Sequence, residues 1–169
     1  MLFYKDQLEA RNRAETGIRY EWYSLQRWGA NYSDDFYKQK LVWTPVNSEY
    51  RFAILPAGIF FNNSLFMITG QGINYLCGIM NSRIFRYYLK LLLAGDSYTY
   101  GSGNCFENLP IPKTINAPKI ESLVETIIDE KEQGLNTQIL EYQIDDCLLD
   151  FYGFTKDERN IINFSADID

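Results

Sequence analysis

Asp129, Glu130 and Lys131 match the carboxylate-x-lysine fragment of metal-dependent nucleases, in which carboxylates hold a divalent cation beside the scissile phosphate. The fragment falls in a helical pattern rather than on a strand, and its upstream Pro-Asp partner is missing. Asp34-Asp35 and Asp145-Asp146 are carboxylate pairs with no companion either. The chain has no histidine, so Ser-His-Asp, Cys-His and HExxH arrangements are impossible, as is any histidine general base. Cys77, Cys105 and Cys147 are odd in number and show no CxxC spacing. They argue against a disulfide framework or a thiolate zinc site and for a reducing, cytoplasmic compartment. No GxGxxG follows a strand, and GxxxxGK[ST] and Asn-Pro-Pro-Tyr are both absent, so neither a phosphate loop nor a methyl-donor pocket is legible. The chain is therefore expected not to be an enzyme, and to carry no metal or cofactor of its own.

Binding chemistry is more visible. Arg83, Arg86 and Lys90 recur at i, i+3 and i+7, one face of a helix, which fits either a basic stripe against phosphates or an ordinary solvated face. Residues 95–104, GDSYTYGSGN, carry Tyr98 and Tyr100 among Ser97, Thr99, Ser102 and Asn104. Such a loop suits groove insertion and base-edge reading; equally, it suits a hairpin tip whose tyrosines cover a sheet. Between Arg11 and Arg51, Arg19, Arg27, Lys38 and Lys40 interleave with Tyr20, Trp22, Tyr23, Trp28, Tyr32 and Tyr37, a mixture used by nucleic-acid surfaces. Glu15, Glu21, Asp34 and Asp35 dilute it, and Trp22 and Trp43 read as core.

The elements that must position these groups follow from periodicity. With 169 residues, 46% of them hydrophobic, the chain can bury the core of one domain with a small appended unit. Residues 2–15 predict an amphipathic helix with Leu2 and Leu8 on one side, and residues 18–32 a helical turn and loop. Residues 40–45, 50–56 and 58–69 are β-branched and aromatic runs punctuated by Pro45, Pro56, Gly58 and Gly70, predicting a small, mostly antiparallel sheet. Residues 73–93 predict one long central helix, begun at Gly72 and Asn74 and stopped at Gly95. Its Asn81, Arg83, Arg86 and Lys90 speak against a membrane span. Two further amphipathic helices follow Pro112, broken at Gly134 and capped by Asn136, and Thr155 with Glu158 forms a capping box for a third. The fold class is thus α+β, with a body over 1–112 and a helical appendage over 113–169 packed on it. The formal net charge is −6, yet residues 1–112 are mildly basic while residues 113–169 hold five Lys/Arg against thirteen Asp/Glu.

Taken in order, these pieces resemble the C-terminal specificity domain of TaqI-like adenine-N6 DNA methyltransferases and of Eco57I-type restriction-modification enzymes. The resemblance rests on residues 21–27 (EWYSLQR), 38–43 (KQKLVW) and 57–69 (AGIFFNNSLFMIT), then 75–90 and 107–112 (ENLPIP), and it closes with 143–158. Its most specific part is Leu76-x-x-Ile79-x-Asn81-Ser82 followed by Leu109-Pro110-Ile111-Pro112. The resemblance implies a non-catalytic target-recognition domain of a bacterial type II system, gripping double-stranded DNA. Methyl transfer with S-adenosylmethionine, and magnesium-dependent cleavage where present, would reside on a methyltransferase or nuclease domain joined in cis or in trans. The chain begins at Met1 without that half, as an excised fragment or a standalone subunit would. The expected DNA contacts are Arg19, Arg27, Lys38, Lys40, Arg83, Arg86, Lys90, Ser97, Tyr98, Tyr100 and Asn104. The acidic helices are expected to sit away from the phosphates, which they would otherwise repel. The competing reading is a protein-interaction module whose acidic tail docks a partner subunit.

Overall fold

The computed structural model describes residues 2–15, 21–23, 32–44, 46–47, 51–92, 99–100, 109–113 and 117–166. Two compact units are distinguished, residues 1–34 and residues 35–169. In the first, a 3-10 turn, Leu2–Tyr4, enters helix α1, Lys5–Glu15. The helix forms where expected, but it is not amphipathic in the sense foreseen. Leu2, Phe3 and Tyr4 belong to the preceding turn, and Leu8 is the one large apolar residue within α1. Lys5 and Glu9 pair along it at 3.8 Å, and the Lys5 ammonium lies 6.0 Å from the Trp22 ring centre.

A single helical turn, α2 (Ser33–Phe36), leads into the second unit. Strands β1 (Lys40–Trp43), β3 (Ala53–Leu55) and β4 (Phe66–Thr69) form an antiparallel sheet in the order β3-β1-β4, and β2 (Val46–Asn47) lies between β1 and β3 in the chain. Leu41 faces Ile54 on one side and Ile68 on the other, while Lys40 faces Leu55 and Thr69. As the central strand, β1 is buried along its whole length. Period-2 alternation sends Leu41 and Trp43 into the main core, where Trp43 meets Phe52 with ring centres 5.7 Å apart.

The helical layer on that core consists of α3 (Ile73–Asn81), α4 (Arg83–Leu92), α5 (Ala117–Glu132), α6 (Gln138–Tyr152) and α7 (Lys156–Ala166). Ile120 and Val124 of α5 and Ile144 and Leu148 of α6 share one buried cluster with Ile73, Cys77 and Met80 of α3, so the acidic segment and the sheet-bearing body are built on the same core. Burying each such aliphatic side chain contributes roughly 2 kcal/mol. Gly134 and Gly153 end α5 and α6 in the left-handed conformation; at each, the next residue's N–H reaches back to the last turn, Leu135 to Glu130 and Phe154 to Leu149. The Thr155–Glu158 capping box is formed as expected, and Asn136 accepts the N–H of Gln138 at 3.0 Å.

Gly78 sets the α3–α5 spacing. A Cβ placed there would lie 2.8 Å from Ile120 Cγ2 and 3.0 Å from Val124 Cγ2. Those methyls sit on β-branched side chains held to one rotamer in a helix, so the helices themselves would have to separate. Gly78→Ala would gain about 1 kcal/mol of helix propensity but lose roughly 2 to 3 kcal/mol to overpacking. A net fall of about 1 kcal/mol is expected in urea unfolding; an unchanged or raised midpoint would show that the contact has slack.

Candidate nucleic-acid interface

The central helix foreseen over 73–93 is two helices, because Ser82 is extended at φ −67°, ψ 157°. Its hydroxyl donates to the Ile79 carbonyl at 2.7 Å and accepts the Phe85 N–H at 3.2 Å, so one side chain closes α3 and caps α4. Asn81 holds the same corner from the sheet side. Its carboxamide accepts the Phe52 N–H at 3.1 Å and donates to the Phe52 carbonyl at 2.9 Å, completing the backbone of a residue just before β3. The Asn-Ser pair is thus a joint between sheet and helices. Leu109-Pro110-Ile111-Pro112 is its counterpart on the return path. Tyr75 of α3 donates to the Pro112 carbonyl and Tyr152 of α6 to the Pro110 carbonyl, each at 2.6 Å, and Leu109 and Ile111 pack against the core. Proline carries no N–H, so Pro110 and Pro112 bond only through their carbonyls, while the Ile111 N–H turns back to the Leu109 carbonyl at 2.7 Å. The joint sets the start of α4 and the strap fixes the chain after residue 108; between them lie Ser97, Tyr98, Tyr100 and Asn104, the loop residues expected to read DNA.

Within that span the described residues are Thr99 and Tyr100, which form strand β5. Tyr100 pairs with Val46 and Asn47 with Thr99, antiparallel, so the loop is tied by its backbone to the connection between β1 and β3. Ser97, Tyr98 and Asn104 lie outside the described residues, as do Arg19 and Arg27.

The cations are placed differently from the expectation. Lys40 is fully buried, and its ammonium donates to the Phe36 carbonyl at 2.9 Å and the Pro56 carbonyl at 3.1 Å. A side chain inside the central strand cannot reach a phosphate. Arg83 is turned inward as well: its Nε lies 3.6 Å from Asp145 Oδ2, its Nη1 donates to Asn163 at 3.2 Å, and its guanidinium stacks 4.3 Å from the Tyr142 ring centre. The Arg86 Nε is buried and has no hydrogen-bond partner. The stripe therefore does share one helix face, but α6 and α7 cover its Arg83 end and only Lys90 is exposed. This corrects the expected separation of acidic helices from basic face. A guanidinium and a carboxylate near each other inside one core satisfy each other, which a linear charge map does not show. Lys38 is exposed, with its ammonium 2.8 Å from Asp35 Oδ1.

Asp145 is the residue sequence reasoning missed. Its carboxylate accepts the Arg83 N–H at 2.8 Å, capping the first turn of α4 from a helix 62 positions later, where the helix dipole favours negative charge. Burial pushes this carboxyl up to about 6, against the Arg83 N–H and the Arg83 and Arg86 charges, which lower it. The Asp145-Asp146 doublet gave a signal in the sequence, but not one that separated a cap from a catalytic pair.

Catalytic chemistry gains no geometry here. Asp129 is exposed on α5, and Lys131 is paired with Glu141 of α6 at 2.8 Å. Among the described residues no three carboxylates or thiols gather around a point where a metal could sit. β4 enters α3 through Gly70-Gln71-Gly72, but from an antiparallel three-stranded sheet, unlike the parallel strand-to-helix turn that cradles a nucleotide cofactor. No helix among the described residues is long and apolar enough to cross a membrane.

A search of curated proteins returns no match. A family model described as the TaqI-like C-terminal specificity domain matches residues 3–111, from the turn before α1 to the Leu-Pro-Ile of the strap. The match includes the Asn81-Ser82 joint and stops before α5, so the likeness of 143–158 rests on its own motif. Covering well over half of the chain, it places this protein in the TaqI-like C-terminal specificity domain family.

Proposed function

We propose that this chain is the target-recognition module for double-stranded DNA in an adenine-N6 methyltransferase or type II restriction-modification enzyme, and is itself non-catalytic. The observation that carries the reading is the specificity-domain match over 3–111, which takes in the Asn81-Ser82 joint and runs to Ile111 of the strap. S-adenosylmethionine, and magnesium where the parent also cleaves, belong in this reading to a partner domain in cis or in trans. Phosphate contacts fall to Lys38, Lys90, Arg19 and Arg27 and base reading to Ser97, Tyr98, Tyr100 and Asn104, while Lys40, Arg83 and Arg86 serve the fold.

The test is selection of a random duplex pool on the immobilised chain at low salt, where phosphate attraction is strongest. A short shared sequence enriched over successive rounds is expected. Retention without any shared sequence would leave only charge attraction, and the recognition role would fall.

A further inference from the structure

With Lys40 buried and Arg83 held by Asp145, further surface that could meet DNA has to be sought elsewhere. The connection between β3 and β4, residues 56–65, reads Pro-Ala-Gly-Ile-Phe-Phe-Asn-Asn-Ser-Leu and contains no carboxylate in a chain with 22 of them. Its Phe60 stacks face to face on Phe36, ring centres 4.9 Å apart and planes within 5°. Tyr37 meets the same ring edge-on at 5.4 Å, and Phe61 lies tilted against Phe36 with ring centres 5.1 Å apart. Although one face is covered, Phe60 is 57% exposed, so its second face is largely open. Ile59 beside it is also exposed.

The support under this ring is rigid. Gly58 adopts a positive φ of 82° and donates its N–H to the Phe36 carbonyl at 2.9 Å, the carbonyl that also accepts from the buried Lys40. At the tip, the Asn62 side chain accepts the Ser64 N–H at 3.0 Å, which fixes a turn, while the next residue, Asn63, is exposed. Asp35, next to Phe36 in the chain, bonds Lys38 and Thr69, and those hydrogen bonds hold its pKa below the ordinary value. An open aromatic face, a neighbouring aliphatic side chain, an exposed amide and a locally neutralised charge are the chemistry of base contact. Large apolar side chains held this way unstack a base step, and amides read base edges.

We infer that Ile59 and Phe60 form an apolar wedge that inserts at one base step of the target duplex, with the Asn63 amide beside it. This rests on the DNA-recognition reading and adds the place and manner of contact. Buttressing by Phe36 explains why an exposed ring is held in a fixed orientation: ordering it beforehand lowers the cost of insertion.

The experiment uses the full 169-residue chain and a duplex enriched from the random pool, with 2-aminopurine substituted at successive positions. Wild type is expected to raise 2-aminopurine fluorescence at one step, reporting unstacking. Phe60→Ala is expected to lose that rise and to weaken binding about tenfold, the range seen when an aromatic contact to a base is removed. Phe60→Trp should retain both. Melting temperature is recorded for each variant, and Phe60→Leu, which keeps apolar bulk at the site, should fold normally and lose most of the fluorescence change. Should wild type enrich no sequence, the recognition reading fails and the wedge with it. Should a sequence be enriched while Phe60→Ala, Phe60→Leu and wild type bind it equally, the wedge alone is overturned. Unchanged DNA binding with loss of association to a methyltransferase domain would likewise overturn it, assigning the ring to protein contact.

Discussion

Asp145→Ala is expected to lower folding stability by about 3 to 4 kcal/mol, the usual cost of deleting one partner of a buried ion pair. The Arg83 and Asp145 side chains are only 13% and 8% exposed, so solvent does little to replace what is removed. The substitution strands two groups at once: the Arg83 guanidinium, and the α4 N–H that the carboxylate caps. Urea unfolding followed by circular dichroism measures the loss, and a change below about 1 kcal/mol would mean the pair behaves like a surface contact. The same residue gives a pH signature. Its folded carboxyl is raised to about 6 by burial, above the unfolded value of 3.8, so the folded state holds the extra proton between those limits. Stability from this group is full below pH 4, falls as pH rises to about 6 and is flat above. Asp145→Asn, which cannot ionise, removes that slope. Wild-type stability measured against it should fall by about 3 kcal/mol between pH 4 and pH 7, from two pKa units at 1.36 kcal/mol each. A flat difference would show that the carboxylate is already ionised at pH 4.

Lys40→Met is expected to cost about 2 to 3 kcal/mol, because a thioether of similar length fills the space but takes the ammonium from the Pro56 carbonyl and leaves the Phe36 carbonyl with the Gly58 N–H alone. Those carbonyls belong to the end of α2 and the exit of β3, which the buried ammonium ties together across the sheet. Lys38→Met, two residues away and exposed, should change stability by less than about 0.5 kcal/mol. Denaturant titration with Trp43 fluorescence compares the two; equal, small effects would refute the buried role. Duplex affinity measured per folded molecule should be unchanged by Lys40→Met, whereas a phosphate contact would lower both affinity and its salt dependence.

The three strands of the sheet were legible because β-branched and aromatic runs bounded by proline and glycine dictate an extended backbone locally, but residues 58–65 of the third run form the connection before β4 rather than strand. The capping box at Thr155 and the stop at Gly134 were legible for the same reason: they close hydrogen bonds within a few residues. The break at Ser82 was not, since Asn81 and Ser82 sit inside an uninterrupted apolar period and act through Phe52 and Phe85. Lys40 and Arg83 were misplaced by the same limit. A basic residue in a list of basic residues reads as surface charge, and only the fold reveals that a carbonyl pair or Asp145 receives it. Of the expected contacts, those on the frame could be assigned a structural role, while Ser97, Tyr98 and Asn104 lie outside the described residues.

The two tyrosine hydroxyls holding Pro110 and Pro112 anchor the strap independently of the residues that precede it, so it is a fixed landing point for the chain arriving from α4. The entropy of spanning two fixed anchors rises only logarithmically with length, about 0.6 kcal/mol for each doubling. Changes of length on either side of Thr99-Tyr100 leave Tyr75, Tyr152 and the Asn81-Ser82 corner untouched, whereas replacing that pair removes the side chains at the β2–β5 pairing. The strap and the joint thus keep their own bonds whatever the length of the chain between them.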